Sequence, residues 1–183
     1  MLFRSLTTWP DDGGPFITLP MVISKDPTRG IRNVGMYRVQ VMGQNTVAMH
    51  WQRHKVGAAH WRELAEKGEK MPVCIGIGGD PASMYSASAP LPPTVDEFIF
   101  AGFLRKAPVH LTKALTCDLE VPADAEFVLE GYIDPAEALV TEGPFGDHTG
   151  YYSEADLYPL VHITAVTMRR NAIYAATIVG RPP

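Results

Sequence analysis

Two cysteines in 183 residues, Cys74 and Cys117, are too few for a disulfide framework, and they form no Cys-x-x-Cys pair. Both read as free thiols of a reducing compartment. No apolar run approaches the length that crosses a bilayer, and the first residues carry no signal-peptide core, so the expectation is a cytoplasmic chain. Sixteen basic residues against twenty acidic ones give a net charge of -4, mixed along the chain. There is no basic patch of the kind that binds nucleic acid. A Gly-x-Gly-x-x-Gly fingerprint and a phosphate-loop lysine are both missing, which leaves nucleotide folds built on those motifs unsupported. A metal-dependent hydrolase is disfavoured because neither an HExxH motif nor a nucleophile elbow occurs. Internal repeats and low-complexity tracts are absent too.

What is present is strand-rich. The length suits one domain with a sizeable core. Residues 1–16 hold Trp9-Pro-Asp-Asp-Gly-Gly-Pro15 and read as a turn-rich lead-in segment with little of its own to pack; residues 17–183 form the domain proper. Strands are expected over 17–24, 33–42 and 46–52, the last two joined by Gly43-Gln44-Asn45 as in a hairpin. Alternation in the third puts Val47, Met49 and Trp51 on a core face and Ala48, His50 and Gln52 on the other. In the second, Asn33 and Arg38 have opposite parity, so they serve one site only if the strand is interrupted.

An amphipathic helix is expected over 55–70, burying Val56, Ala59, Trp61, Leu64 and Ala65. A buried strand follows over 71–77 and a second helix over 95–106. Thr94 and Glu97 have capping-box spacing at that helix start, which gives Glu97 a structural reading beside any chemical one. Further strands are expected over 109–115, 126–133, 157–168 and 172–179. More strands than helices, without regular βαβ alternation, define an α+β chain: a β-barrel or twisted antiparallel sheet with helices at its rim.

The stretch Glu142-Gly-Pro-Phe-Gly-Asp147, followed by His148, Tyr151 and Tyr152, is the densest chemistry in the chain. Gly-Pro-Phe-Gly cannot continue a helix, so the two carboxylates sit on a sharp turn. Such a turn either points acids into a cleft, where apolar walls raise their pKa, or is a solvated surface loop. Elsewhere Asn33, His54 and Glu97 offer an amide oxygen, an imidazole and a carboxylate, a set that suits Mn²⁺ or Mg²⁺ with positions left for phosphate oxygens. Their spacing alone does not show that they meet.

Taken in order, Asn33-Val-Gly-Met-Tyr-Arg38, His50-Trp-Gln-Arg-His54, Ser86-Ala-Ser-Ala-Pro-Leu-Pro92 leading to Glu97, Glu142-Gly-Pro-Phe-Gly-Asp147 and Gly180-Arg-Pro-Pro183 resemble the UbiD family of prenylated-flavin decarboxylases. The likeness runs from Trp9 to the last residue. It implies the family's central domain, a split β-barrel that binds prenylated FMN, with the family's N-terminal segment and large C-terminal domain outside this chain. Met36, Tyr37, Arg38, His50, Trp51, Gln52, Lys55 and Val56 would line the flavin. Asn33, His54 and Glu97 would hold Mn²⁺ at its phosphate, with a potassium or sodium ion near Ser86, Ala87 and Ala89. Arg38, Glu142 and Asp147 would form the catalytic network, Asp147 donating the proton. Some members carry Glu at that last position, so the reach here is one methylene shorter.

The activity implied is reversible, non-oxidative decarboxylation of an aromatic acid, foremost 3-polyprenyl-4-hydroxybenzoate of ubiquinone synthesis, with a menaquinone precursor or another aromatic acid as alternatives. A flavin prenyltransferase would supply the cofactor, the full-length form would be a homo-oligomer, and a prenylated substrate implies peripheral membrane contact. The alternative is a non-catalytic flavin-binding module.

Overall fold

A computed structural model describes residues 5–181; residues 1–4 of the lead-in segment, and Pro182 and Pro183 of the terminal motif, lie outside the described residues. In chain order the strands and helices begin with β1 (Phe16–Ile17), β2 (Pro20–Lys25), β3 (Arg32–Met36), β4 (Val39–Val41), β5 (Thr46–Met49), α1 (Val56–Glu66), β6 (Met71–Ile77), α2 (Pro81–Ser86) and α3 (Glu97–Arg105). Then come β7 (Leu111–Lys113), β8 (Glu120–Pro122), β9 (Phe127–Ile133), β10 (Val140–Glu142), β11 (Phe145–Gly146), β12 (Tyr152–Ser153), β13 (Asp156–Tyr158) and β14 (Leu160–Met168).

Eight strands form one sheet in the order β1-β4-β5-β14-β9-β6-β2-β3, every neighbouring pair antiparallel. Strand β3 is one edge and β4 is next to the other, yet only Tyr37 and Arg38 separate them in sequence. Two residues span too short a distance to cross an open sheet. The sheet must therefore curl until its ends approach, and Tyr37 and Arg38 sit at the gap. This is the expected α+β split barrel, left open because no ladder joins β3 to β1. The interruption that Asn33 and Arg38 needed in order to share a site is this same gap.

Val22, Val39, Val47, Met49, Ile75, Leu129 and Val161 belong to the inner core, which also takes Tyr37, Trp51 and Leu64 of α1. An outer core packs Met21, Ile23, Val34 and Cys74 from the other sheet face against Phe98 of α3 and Val121 of the β7–β8 hairpin. With both faces covered, Ala48 is as buried as Val47 and Met49 on the expected core face, while His50 on the Ala48 side is half-buried and Gln52 exposed.

Several sequence expectations are corrected. The lead-in segment is not a loose connection: Trp9 and Phe16 are each 1% exposed, and Phe16–Ile17 pair with β4. Helix α1 is shorter than expected and turned in phase, burying His60 and exposing Ala59, because His60 Nδ1 meets the buried Ser24 hydroxyl at 3.0 Å. Helix α3 is capped by Asp96, whose carboxylate accepts from the Phe98 amide at 2.9 Å; Thr94 is not its N-cap, and the capping-box reading of Glu97 falls with it. The strand expected over 109–115 is reduced to β7, the one over 157–168 is broken at Pro159, and residues 172–179 have no regular structure.

Candidate functional site

The acid loop is built by the lead-in segment as much as by its own residues. Asp12 accepts from the amides of Thr8 (3.0 Å) and Trp9 (2.9 Å) with one oxygen and from the Gly146 amide (2.7 Å) with the other. The Gly13 amide donates to the Pro144 carbonyl at 2.7 Å, and Gln40 bridges the two segments, donating to Gly13 O at 2.9 Å and accepting from Gly143 N at 2.7 Å. Gly143 takes φ +95°, a conformation that suits glycine at this turn. Gly146 lies flat on Trp9: an added Cβ would fall 1.9 Å from the indole. The loop is thus held from below by residues more than a hundred positions away.

On this platform Glu142 is fully buried (0% exposed) at the end of β10. Arg38, at the barrel gap, donates to both of its oxygens, Nε at 2.7 Å and Nη2 at 3.0 Å. His50 Nδ1 lies 2.9 Å from Oε2, and because an ionised carboxylate only accepts, the nitrogen carries the hydrogen. Burial alone would raise the Glu142 pKa; the His50 and Arg38 hydrogen bonds outweigh it and hold the carboxyl below its ordinary value. The third guanidinium nitrogen reaches Asp147 Oδ2 at a longer 3.3 Å. Asp147 is 31% exposed, and its other oxygen accepts from His148, backbone at 2.7 Å and ring at 2.8 Å. Burial again opposes ionisation, and His148 with Arg38 overcomes it. Phe145 stacks 4.7 Å from the Arg38 guanidinium, and Tyr158 packs 4.4 Å from the His50 ring. Burial, then the charge of Glu142, raises the Tyr158 hydroxyl.

Trp51, Gln52, Tyr158 and Pro159 wall a cleft of about 480 Å³ that Arg53, Trp61, Arg62 and Leu139 complete. His50 and Tyr158 therefore connect the acid network to that cleft. The structure brings Arg38, Glu142 and Asp147, which the family resemblance grouped, within hydrogen-bonding distance of one another through the Arg38 guanidinium. The resemblance placed His50 only among flavin-lining residues, and its hydrogen bond with Glu142, like the contacts of Asp12, Trp9 and Tyr158, was missed. The polar face of the 46–52 stretch was the available signal for His50.

A second corner lies near β3. Asn33 is buried with Nδ2 lacking any partner among the described residues. Glu97, at the first turn of α3, accepts from the Val34 amide at 2.8 Å, and burial foremost raises its carboxyl pKa. The Tyr37 hydroxyl is raised foremost by burial, with the nearby Asn33 side chain and Gly57 backbone acting the other way and the Glu97 charge adding to the rise. His54 and Lys55 are exposed on the turn into α1, and Gln52 is exposed beside them. Among the described residues no three His, Cys, Asp or Glu side chains are clustered to hold a metal. The Asn33 side-chain oxygen and the Glu97 carboxylate are nevertheless hard oxygen donors of the kind that suits such a cation, whereas the unpartnered Nδ2 is an N–H donor and is no ligand. Trp51 Nε1, buried and unpartnered, marks the same neighbourhood as incomplete for polar contacts. Near Ser86, the Ser86, Ala87 and Ala89 carbonyls each accept one backbone amide, from Ala89, Met36 and Leu91 respectively.

A curled antiparallel barrel with an Arg–carboxylate network at its gap places the chain in the split-barrel class. The family model for the UbiD 3-octaprenyl-4-hydroxybenzoate carboxy-lyase Rift-related domain matches residues 3–182, and the chain belongs to the UbiD family. It is 57% identical over 178 residues to an uncharacterized protein of Aquifex aeolicus, covering 97% of this chain and 37% of that protein. It is similar to the UbiD-class enzyme HmfF of Pelotomaculum thermopropionicum in complex with FMN, with 36% identity, TM-score 0.91, and 94% of this chain and 38% of that one covered. The vanillic acid decarboxylase of Sedimentibacter hydroxybenzoicus in closed form also superposes, at 33% identity and TM-score 0.91 over 95% and 38% of the two chains. The chain thus spans less than two-fifths of the length of these relatives. No helix among the described residues is long and apolar enough to cross a membrane.

Proposed function

We propose that this chain is the flavin-binding domain of a carboxy-lyase that removes carbon dioxide, reversibly and without net oxidation, from an aromatic acid, using prenylated FMN. The observation that carries the reading is the buried Arg38–Glu142–His50 cluster with Asp147 at its open side, in a chain whose solved relatives are named as an FMN complex and a vanillic acid decarboxylase. Met36, Tyr37, Arg38, His50, Trp51, Gln52, Lys55 and Val56 line the flavin in this reading. Asn33, His54 and Glu97 hold Mn²⁺ against its phosphate, and carbonyls near Ser86, Ala87 and Ala89 take a potassium or sodium ion. The bound flavin supplies the electron sink that no side chain offers when carbon dioxide leaves.

The chain's own residues then handle charge and protons. Arg38 is fixed by two bonds to Glu142 and by the Phe145 ring, so it stays put while Asp147 changes state. Glu142, with every strong bond made, remains a carboxylate. Asp147 is held by one long guanidinium contact and by His148, which is itself 78% exposed. An aromatic substrate that covers this side strips solvent from Asp147, and desolvation, already the largest influence on it, moves its pKa up. Protonated at Oδ2, Asp147 delivers that proton to the carbon that lost its carboxylate; in reverse it takes the proton back.

A 3-polyprenyl-4-hydroxybenzoate is the substrate we favour, with the flavin prenyltransferase as cofactor supplier and a cytoplasmic homo-oligomer, membrane-peripheral when working on a prenylated acid, as the full-length form. The test is Asp147→Asn in the full-length protein. Turnover should fall by about 10²- to 10⁴-fold while flavin stays bound. Retained turnover, or loss of flavin in that variant, would remove Asp147 from the proposed role.

A further inference from the structure

Cys74 and Cys117 are 43 positions apart in sequence, and the fold brings their sulfurs to 3.5 Å. Cys74 is buried on β6 within the outer core, and Cys117 is half-buried in the loop between β7 and β8. That loop is anchored just before Cys117. Glu130, 1% exposed on β9, accepts from the amides of Leu115 (2.9 Å) and Thr116 (2.7 Å) and from the Thr116 hydroxyl (2.9 Å). The same hydroxyl lies 2.8 Å from that of Thr164, at the bulge where β14 shifts register against β9. The two sulfurs therefore face each other on fixed backbones, close enough for side-chain rotation to bring them to bonding distance. Neither belongs to the acid network or to the Asn33–Glu97 corner.

We propose that Cys74 and Cys117 form a thiol–disulfide site that fastens the β7–β8 hairpin to the barrel when the chain meets a small-molecule disulfide. Cys117 is the attacking sulfur. It is the more accessible of the two, and its hydrogen bond with Cys74 holds its thiol below the ordinary value, while the same bond and then burial push the Cys74 thiol up. The Cys117 thiolate attacks one sulfur of glutathione disulfide, joining to it and expelling one glutathione thiolate. Cys74 Sγ then attacks Cys117 Sγ, gives up its proton to solvent, and expels the second glutathione as thiolate. The chain loses two electrons and two protons, and the reagent is reduced to two thiols.

The bond has a route to the metal corner. Glu120 of β8 pairs with Arg32, which also donates to Asp96 at 2.9 Å, and Asp96 caps the helix that begins with Glu97. A fastened hairpin steadies the start of α3.

The experiment exposes the reduced, folded chain to glutathione disulfide and reads intact mass, free-thiol count and amide hydrogen exchange. The expected product is monomeric, lighter by two hydrogen atoms, without free thiols, and with slower exchange at Leu115 and Thr116 than the reduced chain. C74S should stop at a glutathione adduct on Cys117, and C117S should react far more slowly than either. Two free thiols after treatment, a stable glutathione adduct on the wild-type chain, or a disulfide between two copies would each overturn the proposal. Because the wild-type result decides the matter, failure of either variant to fold leaves the test intact.

Discussion

The acid network and the Asn33–Glu97 corner sit on either side of the same two residues, Tyr37 and Arg38, and they are built in opposite ways. In the network Arg38 donates to both Glu142 oxygens and to Asp147, and His50 adds a second bond to Glu142 Oε2. In the corner, Asn33 has a buried amide nitrogen without a partner and Glu97 is pushed toward its neutral form by burial. The first region matches its charges within the chain; in the second, burial disfavours the charge on Glu97 and Asn33 Nδ2 is left unmatched among the described residues.

The sharpest way to break the contrast is to make the network resemble the corner. Arg38→Ala strands a fully buried carboxylate and should destabilise the chain by about 3–5 kcal/mol, measured by denaturant unfolding. Adding Glu142→Gln should recover part of that loss, whereas two independent penalties would add. Next in size, Mn²⁺ at one hundred times its dissociation constant should stabilise the wild-type chain by about 2.7 kcal/mol and leave Glu97→Ala unmoved in a thermal-shift titration. An equal shift in both proteins would place the ion elsewhere.

A smaller effect separates the two candidate caps of α3. Asp96→Ala should cost about 1 kcal/mol and Thr94→Ala within about 0.5 kcal/mol; the reverse order would restore the capping box.

The smallest and most diagnostic effect is in pH. Glu142 and Asp147 are held below their ordinary values, so their contribution to stability is present above the unfolded-state carboxylate range and is lost as pH falls through the lower folded values. Glu97 has the opposite sign: its contribution is present below its unfolded pKa and is lost as pH rises through the raised folded value. Glu97→Gln should therefore flatten the decline on the neutral side of the metal-free chain's stability profile, and Glu142→Gln the decline on the acid side. A profile in which both substitutions act on one side would erase the distinction between the regions.

How much of this was legible beforehand differs by residue. The barrel strands were visible because β-branched and aromatic residues alternate between turn signals, and the hairpin at Gly43–Asn45 paired as its composition suggested. Pattern could not reveal residues 172–179, which have strand composition and no ladder partner, because pairing is a property of the rest of the chain. Trp9 and Asp12 lay inside a turn-rich stretch, and their work depends on contacts to Gly146 and Gly180 far along the chain. The acid trio could be proposed from family likeness, but His50 as the partner of Glu142 follows only from where the β5 end meets the β10 end. Thr94 with Glu97 satisfies a spacing rule two residues too early, which hides Asp96 as the cap.

In the proposed function, this chain binds prenylated FMN through a cation at the Asn33–Glu97 corner. The direct measurement is an absorbance spectrum and metal analysis of the chain purified after co-expression with a flavin prenyltransferase, beside its Glu97→Ala variant. Modified flavin and manganese present together in the wild type, and lost together in the variant while the fold persists, is the predicted result. A folded wild-type chain that is colourless and metal-free, or a variant that keeps both, would contradict it.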